Sequence, residues 1–287
     1  MQTPPPPPDS RDVPCPVCDA EARTPFYAVR GYRIVRCGGC GFRFVSPRPS
    51  EAALLDLYAG RGSNPFTDPS FEAFEDELPG LRDVVARLRR VLPAGRVLEL
   101  GCGRGDLLRV AAEAGLEAEG CDLYGGNLPD CPGVRLHDGF LRDLALPSGG
   151  YDAVLTRNTL EHLVAPLVEL REIHRVVRPG GWLYVKVPNV QFEVGLPCRL
   201  AFGPPHIFDP PWHLNHFDPS ALERILARAG FRLEAWLTEI PTRSRSPRAQ
   251  LLRQTGYWVG EGLRRLTAGR AFPKPVLVCL ARRAADA

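Results

Sequence analysis

Four cysteines and one glycine-rich turn are the residues of this chain whose types and spacing most clearly imply chemistry. Cys15-Pro-Val-Cys18 is followed, after residues 19–36, by Cys37-Gly-Gly-Cys40, a spacing that matches paired C-x2-C knuckles around zinc. Each knuckle turns two thiolates toward one ion, Gly38, Gly39 and Gly41 permit the tight backbone turns, and four thiolates close a tetrahedral shell. A closed shell leaves no position for a reactive water, so structural zinc is the role expected of Cys15, Cys18, Cys37 and Cys40. A redox C-x-x-C pair would need a surrounding βαβ pattern, and none is visible near residue 15. Cys102, Cys121, Cys131, Cys198 and Cys279 are scattered and read as small buried hydrophobes.

The turn lies in "VLELGCGRGDLL", residues 97–108. Gly101, Gly103 and Gly105 make G-x-G-x-G, but Asp106 breaks the G-x-G-x-x-G fingerprint of a dinucleotide fold. Glu99, just before the turn, puts a carboxylate where a pyrophosphate would be repelled. Close backbone approach beside a carboxylate suits a cationic ligand. Asp122, ending the next strand in "GCDL", sits where such folds hold ribose hydroxyls. Asp138 in "HDGF" can accept from an exocyclic amine of adenine, with Gly139 and Phe140 forming part of a base pocket. Read singly, these are a solvated carboxylate, a tight turn and two loop starters. Their joint spacing argues for one pocket.

These residues need elements to position them. Residues 50–93 read as helices, with Ser50 as N-cap before "EAALLDLYAG", then "SFEAFEDEL" and the amphipathic "LRDVVARLRRVL". Pro93, Ala94 and Gly95 break that pattern. From residue 96 strands and helices alternate, which predicts a doubly wound, mostly parallel sheet. The strands are "RVLEL", "EAEGCDL", "VRLHDG", "YDAVLTRN", "GWLYVKVPN", "FRLEAWLTEI" and "KPVLVCLARR", seven in all. Between them lie the helices "LLRVAAEAG", "LVELREIHRVV", ended by Gly180-Gly181, and "FDPSALERILARAG", closed by Gly230. "YAVRGYRIVRCGGCGFRFVSPRP" alternates like short strands, so a zinc ribbon is expected there. The division that follows is a Pro-rich tail at 1–12, the zinc ribbon at 13–48 and an α/β domain at 49–287, with a helical cap at 49–94 and an arginine-rich insertion at 241–273.

Composition narrows the partners. At 287 residues and 44% hydrophobic the chain buries a full core. No run approaches 18 apolar residues, and "MQTPPPPPDSRD" has neither a basic n-region nor an apolar h-region, which argues for a soluble, cytoplasmic protein. Pro4 to Pro8 read as a stiff, disordered tail. A net charge of +3 is too small to imply a polyanion partner, and Lys186 and Lys274 are the sole lysines, so arginine is the default cation here.

The motifs together resemble the class I S-adenosylmethionine-dependent methyltransferases, over roughly residues 50–283. "YDAVLTRNTLEHL", "LREIHRVVRPGGWLYVKVPN" and "WHLNHFDPSALERILARAGF" are similar to the small-molecule branch. Some members of that branch carry an N-terminal four-cysteine zinc module, including sugar C-methyltransferases. The resemblance implies a Rossmann-like methyltransferase fold with Glu99, Gly101, Cys102, Gly103 and Gly105 around the methionine moiety. It also implies Asp122 with Leu123 at the ribose, Asp138 with Gly139 at the adenine, and Asn158 lining the methionine pocket. Tyr58 either closes over the cofactor, as family aromatics do, or is a core aromatic.

A base is needed only if the acceptor must lose a proton, and histidine suits that role near neutral pH. His162 follows the fourth strand, where the acceptor enters this fold, and serves either function or packing. His206, His213 and His216 fall in a proline-rich loop after the fifth strand, "PPHIFDPPWHLNHFD". His213 or His216 is expected to be the general base or an acceptor-binding group. No carboxylate or cysteine accompanies them in a recognised ligand pattern, so no second metal is expected. Two rivals remain. An RNA methyltransferase would use Arg243, Arg245, Arg248, Arg253, Arg264, Arg265 and Arg270 on phosphates, with Tyr257 and Trp258 stacking on a base, although the small net charge makes nucleic acid an unlikely partner. A non-catalytic zinc-ribbon interaction protein would have no use for the intact cofactor motifs.

Overall fold

Val97, Leu98, Glu99 and Leu100 are all buried, as a strand covered on both faces must be. A computed structural model of the chain describes residues 9–59, 74–123, 130–195, 207–238, 255, 258–263, 266–267 and 274–285. In the four-stranded sheet lie β1 (Arg23–Val29), β2 (Tyr32–Cys37) and β3 (Arg43–Val45). Helices α1 (Glu51–Ala59) and α2 (Phe74–Val91) follow. The Ser50 hydroxyl accepts from the Ala53 N–H at 3.1 Å, the N-cap expected of it. α2 runs unbroken through Pro79, where the sequence suggested two separate helical segments.

Seven strands form the main sheet: β4 (Arg96–Leu100), β5 (Glu117–Asp122), β6 (Arg135–Asp138), β7 (Tyr151–Arg157), β8 (Val177–Pro188), β10 (Phe231–Leu237) and β11 (Val276–Arg283). Their order is β10-β11-β8-β7-β4-β5-β6. β6, β5, β4, β7 and β8 pair in parallel, and β11 is antiparallel to both β8 and β10. The chain winds outward from β4 to β5 and β6, then returns to build the other side from β7. The carboxyl ends of β4 and β7 therefore flank the switch point where an open α/β sheet binds ligands. This is the α/β, Rossmann-like methyltransferase architecture, with a small four-cysteine sheet preceding it.

Helices cover both faces. α2 and α3 (Asp106–Glu113) pack Leu81, Val84, Leu88, Leu107, Leu108 and Val110 on one. α4 (Pro166–Val176) and α6 (Pro219–Arg228) pack Leu170, Ile173, Leu222 and Ile225 on the other. Asp218 caps α6 by accepting from Ala221 N–H at 2.9 Å. α4 ends earlier than the sequence suggested. It stops at Val176, and Gly180-Gly181 lie inside β8 rather than closing the helix. Pro179 drives Arg178 out of the helical region, and Gly180, at φ +73°, serves an irregular strand start where the β7 register shifts.

The cysteine module is not a separate bead. Cys15, Val17, Val35, Phe42 and Phe44 belong to the same buried cluster as the α4 and α6 face of the main sheet. A two-residue strand, β9 (Asn215–His216), leaves the segment after β8 and pairs antiparallel with β3, so the order of the small sheet is β1-β2-β3-β9. Between β8 and β9 lies a short helix, α5 (Val190–Glu193). Where the sequence suggested a loop at His216, the structure has a strand. The expected helix inside 241–273 falls mostly outside the described residues; 258–263 are helical, with Lys274 Nζ donating to Glu261 at 2.8 Å. Among the described residues no helix is long and apolar enough to cross a membrane.

Candidate active site

The glycine turn is built by left-handed backbone. Gly101, Gly103 and Gly105 have φ of +72°, +51° and +74°, values that cost an L side chain about 1 kcal/mol or more. At Gly101 a Cβ would also lie 2.2 Å from the Thr159 hydroxyl oxygen. Thr159 in turn donates to the Leu100 carbonyl at 3.2 Å, locking the ends of β4 and β7 together. Cys102 is buried, and its N–H points at the Cys121 carbonyl.

Glu99 is 3% exposed and Oε2 of its carboxylate has no hydrogen-bond partner in the structure. Burial pushes its carboxyl up to about 8; Arg157 opposes the shift, and the negative charges of Asp122 and Asp106 add to it. A carboxylate in that state is held for something that brings positive charge.

Asp122, at the end of β5, accepts from Gly103 N–H at 2.7 Å and from Leu123 N–H at 2.7 Å. Burial nevertheless raises its pKa. Asp138 is its register partner on β6, and Gly139 N–H donates to the Asp122 carbonyl at 2.9 Å. Asn158, exposed after β7, holds φ +51°. Residues from four adjacent parallel strands thus converge at one end of the sheet. Tyr58 lies on α1, but its side chain is outside the described residues, as is all of His206.

A second group stands beyond the end of β7. His162 Nδ1 lies 2.8 Å from the Trp212 carbonyl oxygen, and His213 Nδ1 lies 2.9 Å from that of Ile207. The two rings meet edge to face at 4.9 Å. Burial lowers the pKa of both, that of His162 to about 3 with the neighbouring His213 adding to the shift. His216 is elsewhere: it is 1% exposed within β9, its ring edge meets Phe208 at 4.8 Å, and burial takes its pKa well below the usual value.

Glu161 joins His162 and His213, which the sequence did not signal. Its side chain is almost fully buried, neither oxygen has a hydrogen-bond partner, and burial raises its carboxyl to about 8. The Glu161 carbonyl accepts from Leu214 N–H at 2.7 Å and Asn215 N–H at 3.0 Å. Asn215 also donates to the carbonyls of Leu160 and Leu163, and the buried Arg48 bridges Val45, Val164 and Asn215. The one available sequence signal was the acidic residue beside His162 at a strand end.

In the cysteine cluster, the four Sγ atoms lie within 4.8 Å of one another. Cys15 Sγ to Cys40 Sγ is 3.6 Å and Cys18 Sγ to Cys37 Sγ is 3.5 Å. A tetrahedron with zinc–sulfur bonds of about 2.3 Å has edges of about 3.8 Å. The N–H groups of Gly39 and Cys40 point at Cys37 Sγ at 3.3 and 3.4 Å, the polarity a thiolate requires. The cluster fits a zinc ion.

The sheet order and the convergent strand ends define a class I methyltransferase architecture. A family model described as a methyltransferase domain matches residues 74–235, and the chain belongs to that family. Over 147 residues it is 31% identical to a probable S-adenosylmethionine-dependent methyltransferase of Mycolicibacterium smegmatis, covering 49% of this chain and 54% of that one. Over 157 residues it is 31% identical to the ubiquinone biosynthesis O-methyltransferase of Burkholderia pseudomallei, covering 50% and 66%. The chain thus spans between about half and two thirds of the length of these relatives. The fold matches that of Burkholderia thailandensis 1,6-didemethyltoxoflavin-N1-methyltransferase, solved with 1,6-didemethyltoxoflavin and S-adenosylhomocysteine, at 18% identity and a TM-score of 0.52 over 91% of this chain and 99% of that one.

Proposed function

We propose that this chain transfers the methyl group of S-adenosylmethionine to carbon or oxygen of a small-molecule acceptor, with sugars and other secondary metabolites as the favoured class. The observation that carries this reading is Glu99, a buried carboxylate with an unpaired oxygen beside a turn that only glycine can make. Glu99 and the turn Gly101, Cys102, Gly103 and Gly105 would hold the cationic methionine portion. Asp122 and Leu123 would hold the ribose, Asp138 and Gly139 the adenine, with Asn158 and Tyr58 completing the pocket. Three acidic residues suit that ligand better than a pyrophosphate.

The sulfonium supplies an activated methyl, so the protein's work is chiefly to align the acceptor within roughly 3–3.5 Å of it. His162 and His213 each commit Nδ1–H to a backbone carbonyl, which leaves Nε2 with a lone pair for an acceptor hydroxyl. His213 is favoured over His216 for this, because the His216 ring is buried against Phe208. The relatives named for O-methylation in ubiquinone biosynthesis support a small substrate rather than RNA. We further propose structural zinc at Cys15, Cys18, Cys37 and Cys40, as in the sugar C-methyltransferases, with 13–48 as the ribbon, 49–287 as the catalytic domain and 1–12 as a tail. A four-cysteine zinc cluster with the remaining described cysteines buried singly suits a reducing, cytoplasmic setting.

The test is calorimetric titration with S-adenosylmethionine and S-adenosylhomocysteine, zinc content on the same sample, and transfer of labelled methyl to a panel of nucleotide sugars, phenols and RNA. Micromolar binding of both ligands with label on a small acceptor is the expected result. No binding of either ligand would overturn the reading, and label on RNA alone would replace its acceptor half.

A further inference from the structure

We propose that Glu161, His162 and His213 form a binding site for a divalent transition-metal ion on the acceptor side of the active site. The ligand atoms of the three residues lie within 4.8 Å of one another. An ion equidistant from three atoms at that limit would sit about 2.8 Å from each, 4.8 Å divided by √3, so the side chains would close by about 0.6–0.8 Å to reach the ~2.0–2.2 Å shell of nitrogen and carboxylate ligands.

Two features separate this cluster from a chance meeting of polar groups. A carbonyl oxygen only accepts, so the contact of His213 with Ile207 puts a proton on its Nδ1 and leaves Nε2 as a lone pair; the contact of His162 with Trp212 favours the same tautomer, although the Asn158 carbonyl also faces that ring. Orientation of a ligating imidazole through its far N–H is the arrangement found around protein-bound metals. The other feature is Glu161, whose side chain is buried to about one part in a hundred and whose two oxygens have no hydrogen-bond donor. Its nearest cationic candidate is His162 Nε2 at 3.9 Å, beyond hydrogen-bond range and without a proton in this tautomer. Two imidazole nitrogens and a buried carboxyl group that face one another can share a cation, which would displace any proton held by Glu161.

Two imidazoles and one carboxylate are a set for borderline divalent ions such as Zn2+, Mn2+ or Fe2+ rather than for Mg2+ or Ca2+. Three protein ligands leave coordination positions open, and the His162 side chain keeps 28% of its surface exposed, so the site is reachable from solvent. The backbone frame is fixed by the hydrogen bonds of Leu214 and Asn215 to the Glu161 carbonyl. The function this would supply is polarisation of an acceptor oxygen, lowering the pKa of its hydroxyl so that the proton passes to solvent water, both Nε2 lone pairs then being on the ion. That use rests on the methyl-transfer reading; the metal site itself does not.

The full-length chain, its cysteine cluster loaded with one zinc per chain, is titrated with Mn2+, which prefers oxygen and nitrogen over thiolates, and the loss of the free-ion electron paramagnetic resonance signal is followed. One Mn2+ per chain is expected, with His162 and His213 ring protons broadened in the NMR spectrum. His213→Ala and Glu161→Gln should each weaken binding at least tenfold. S-adenosylmethionine affinity, measured on the same samples, reports whether each variant is folded and tests the methyl-transfer reading separately. No Mn2+ or second Zn2+ bound to the wild-type chain, or binding that broadens other residues, would overturn the metal site whatever the cofactor result.

Discussion

The two halves of the proposed active site are made differently. On the proposed cofactor side, each residue sits at a strand end and is held by that end or the one beside it: Gly101 by its φ, Asp122 by the N–H groups of Gly103 and Leu123, Asp138 by its place on β6. On the acceptor side, Glu161 and His162 meet His213 because Leu214 and Asn215 close on the Glu161 carbonyl, Asn215 is gripped by Arg48, and β9 is seated on β3. One half is a property of the sheet. The other depends on contacts between segments 53 to 173 residues apart, from Glu161–Leu214 to Arg43–His216. The difference teaches that cofactor binding and acceptor positioning can fail separately.

The largest effect that would break the comparison is loss of the cysteine cluster. Cys37→Ser, or removal of zinc by a chelator, should unseat β3, because structural zinc contributes folding free energy directly. Amide exchange in 207–216 should rise by orders of magnitude while S-adenosylmethionine affinity changes less than about threefold. Equal loss of both would show that the halves are one cooperative unit.

Gly101→Ala attacks the other half. The added Cβ meets Thr159 and the backbone must hold φ +72°, a combined cost of about 2 kcal/mol. Thermal unfolding should fall by several degrees and cofactor binding should drop at least tenfold. Amide protection at β9 should be unchanged.

The smallest and sharpest test concerns Glu99. Its carboxyl, raised from 4.5 to about 8 by burial, is mostly protonated at pH 7, and a cation held against it favours the ionised form. Cofactor binding at pH 7 should therefore release close to one proton per chain, measurable by calorimetry in buffers of different ionisation enthalpy. Glu99→Gln should abolish that release and cost about 1.5 kcal/mol of affinity. The sign for stability runs opposite: because the folded value lies above the unfolded one, the ligand-free chain loses stability as pH rises from about 4.5 to about 8.

The same contrast governs what could be read from the sequence. The seven strands, the Ser50 cap and the glycine turn were legible because each depends on local pattern: alternation, a capping side chain, or a spacing only glycine satisfies. Gly180-Gly181 misled because two glycines after a helix look like a terminator, whereas Pro179 had already removed the helical option for Arg178. Glu161 went unnoticed, and His213 was judged to lack a carboxylate neighbour, because the partner lies 52 positions away and only folding brings it near. His216 looked equivalent to His213, three residues earlier. Strand pairing with β3 buries one and leaves the other beside His162.

The β3–β9 ladder also sets a rule for grafting. Residues 207–216 are the natural segment to exchange when a new acceptor is wanted, but Val45 N–H binds the Leu214 carbonyl, and Arg43 and Phe44 are the register partners of His216 and Asn215. A transplanted loop would arrive without its template. The transferable cassette is therefore discontinuous: residues 43–48 must travel with 207–216, and the cysteine knuckles that flank β2 and β3 must be present in the host.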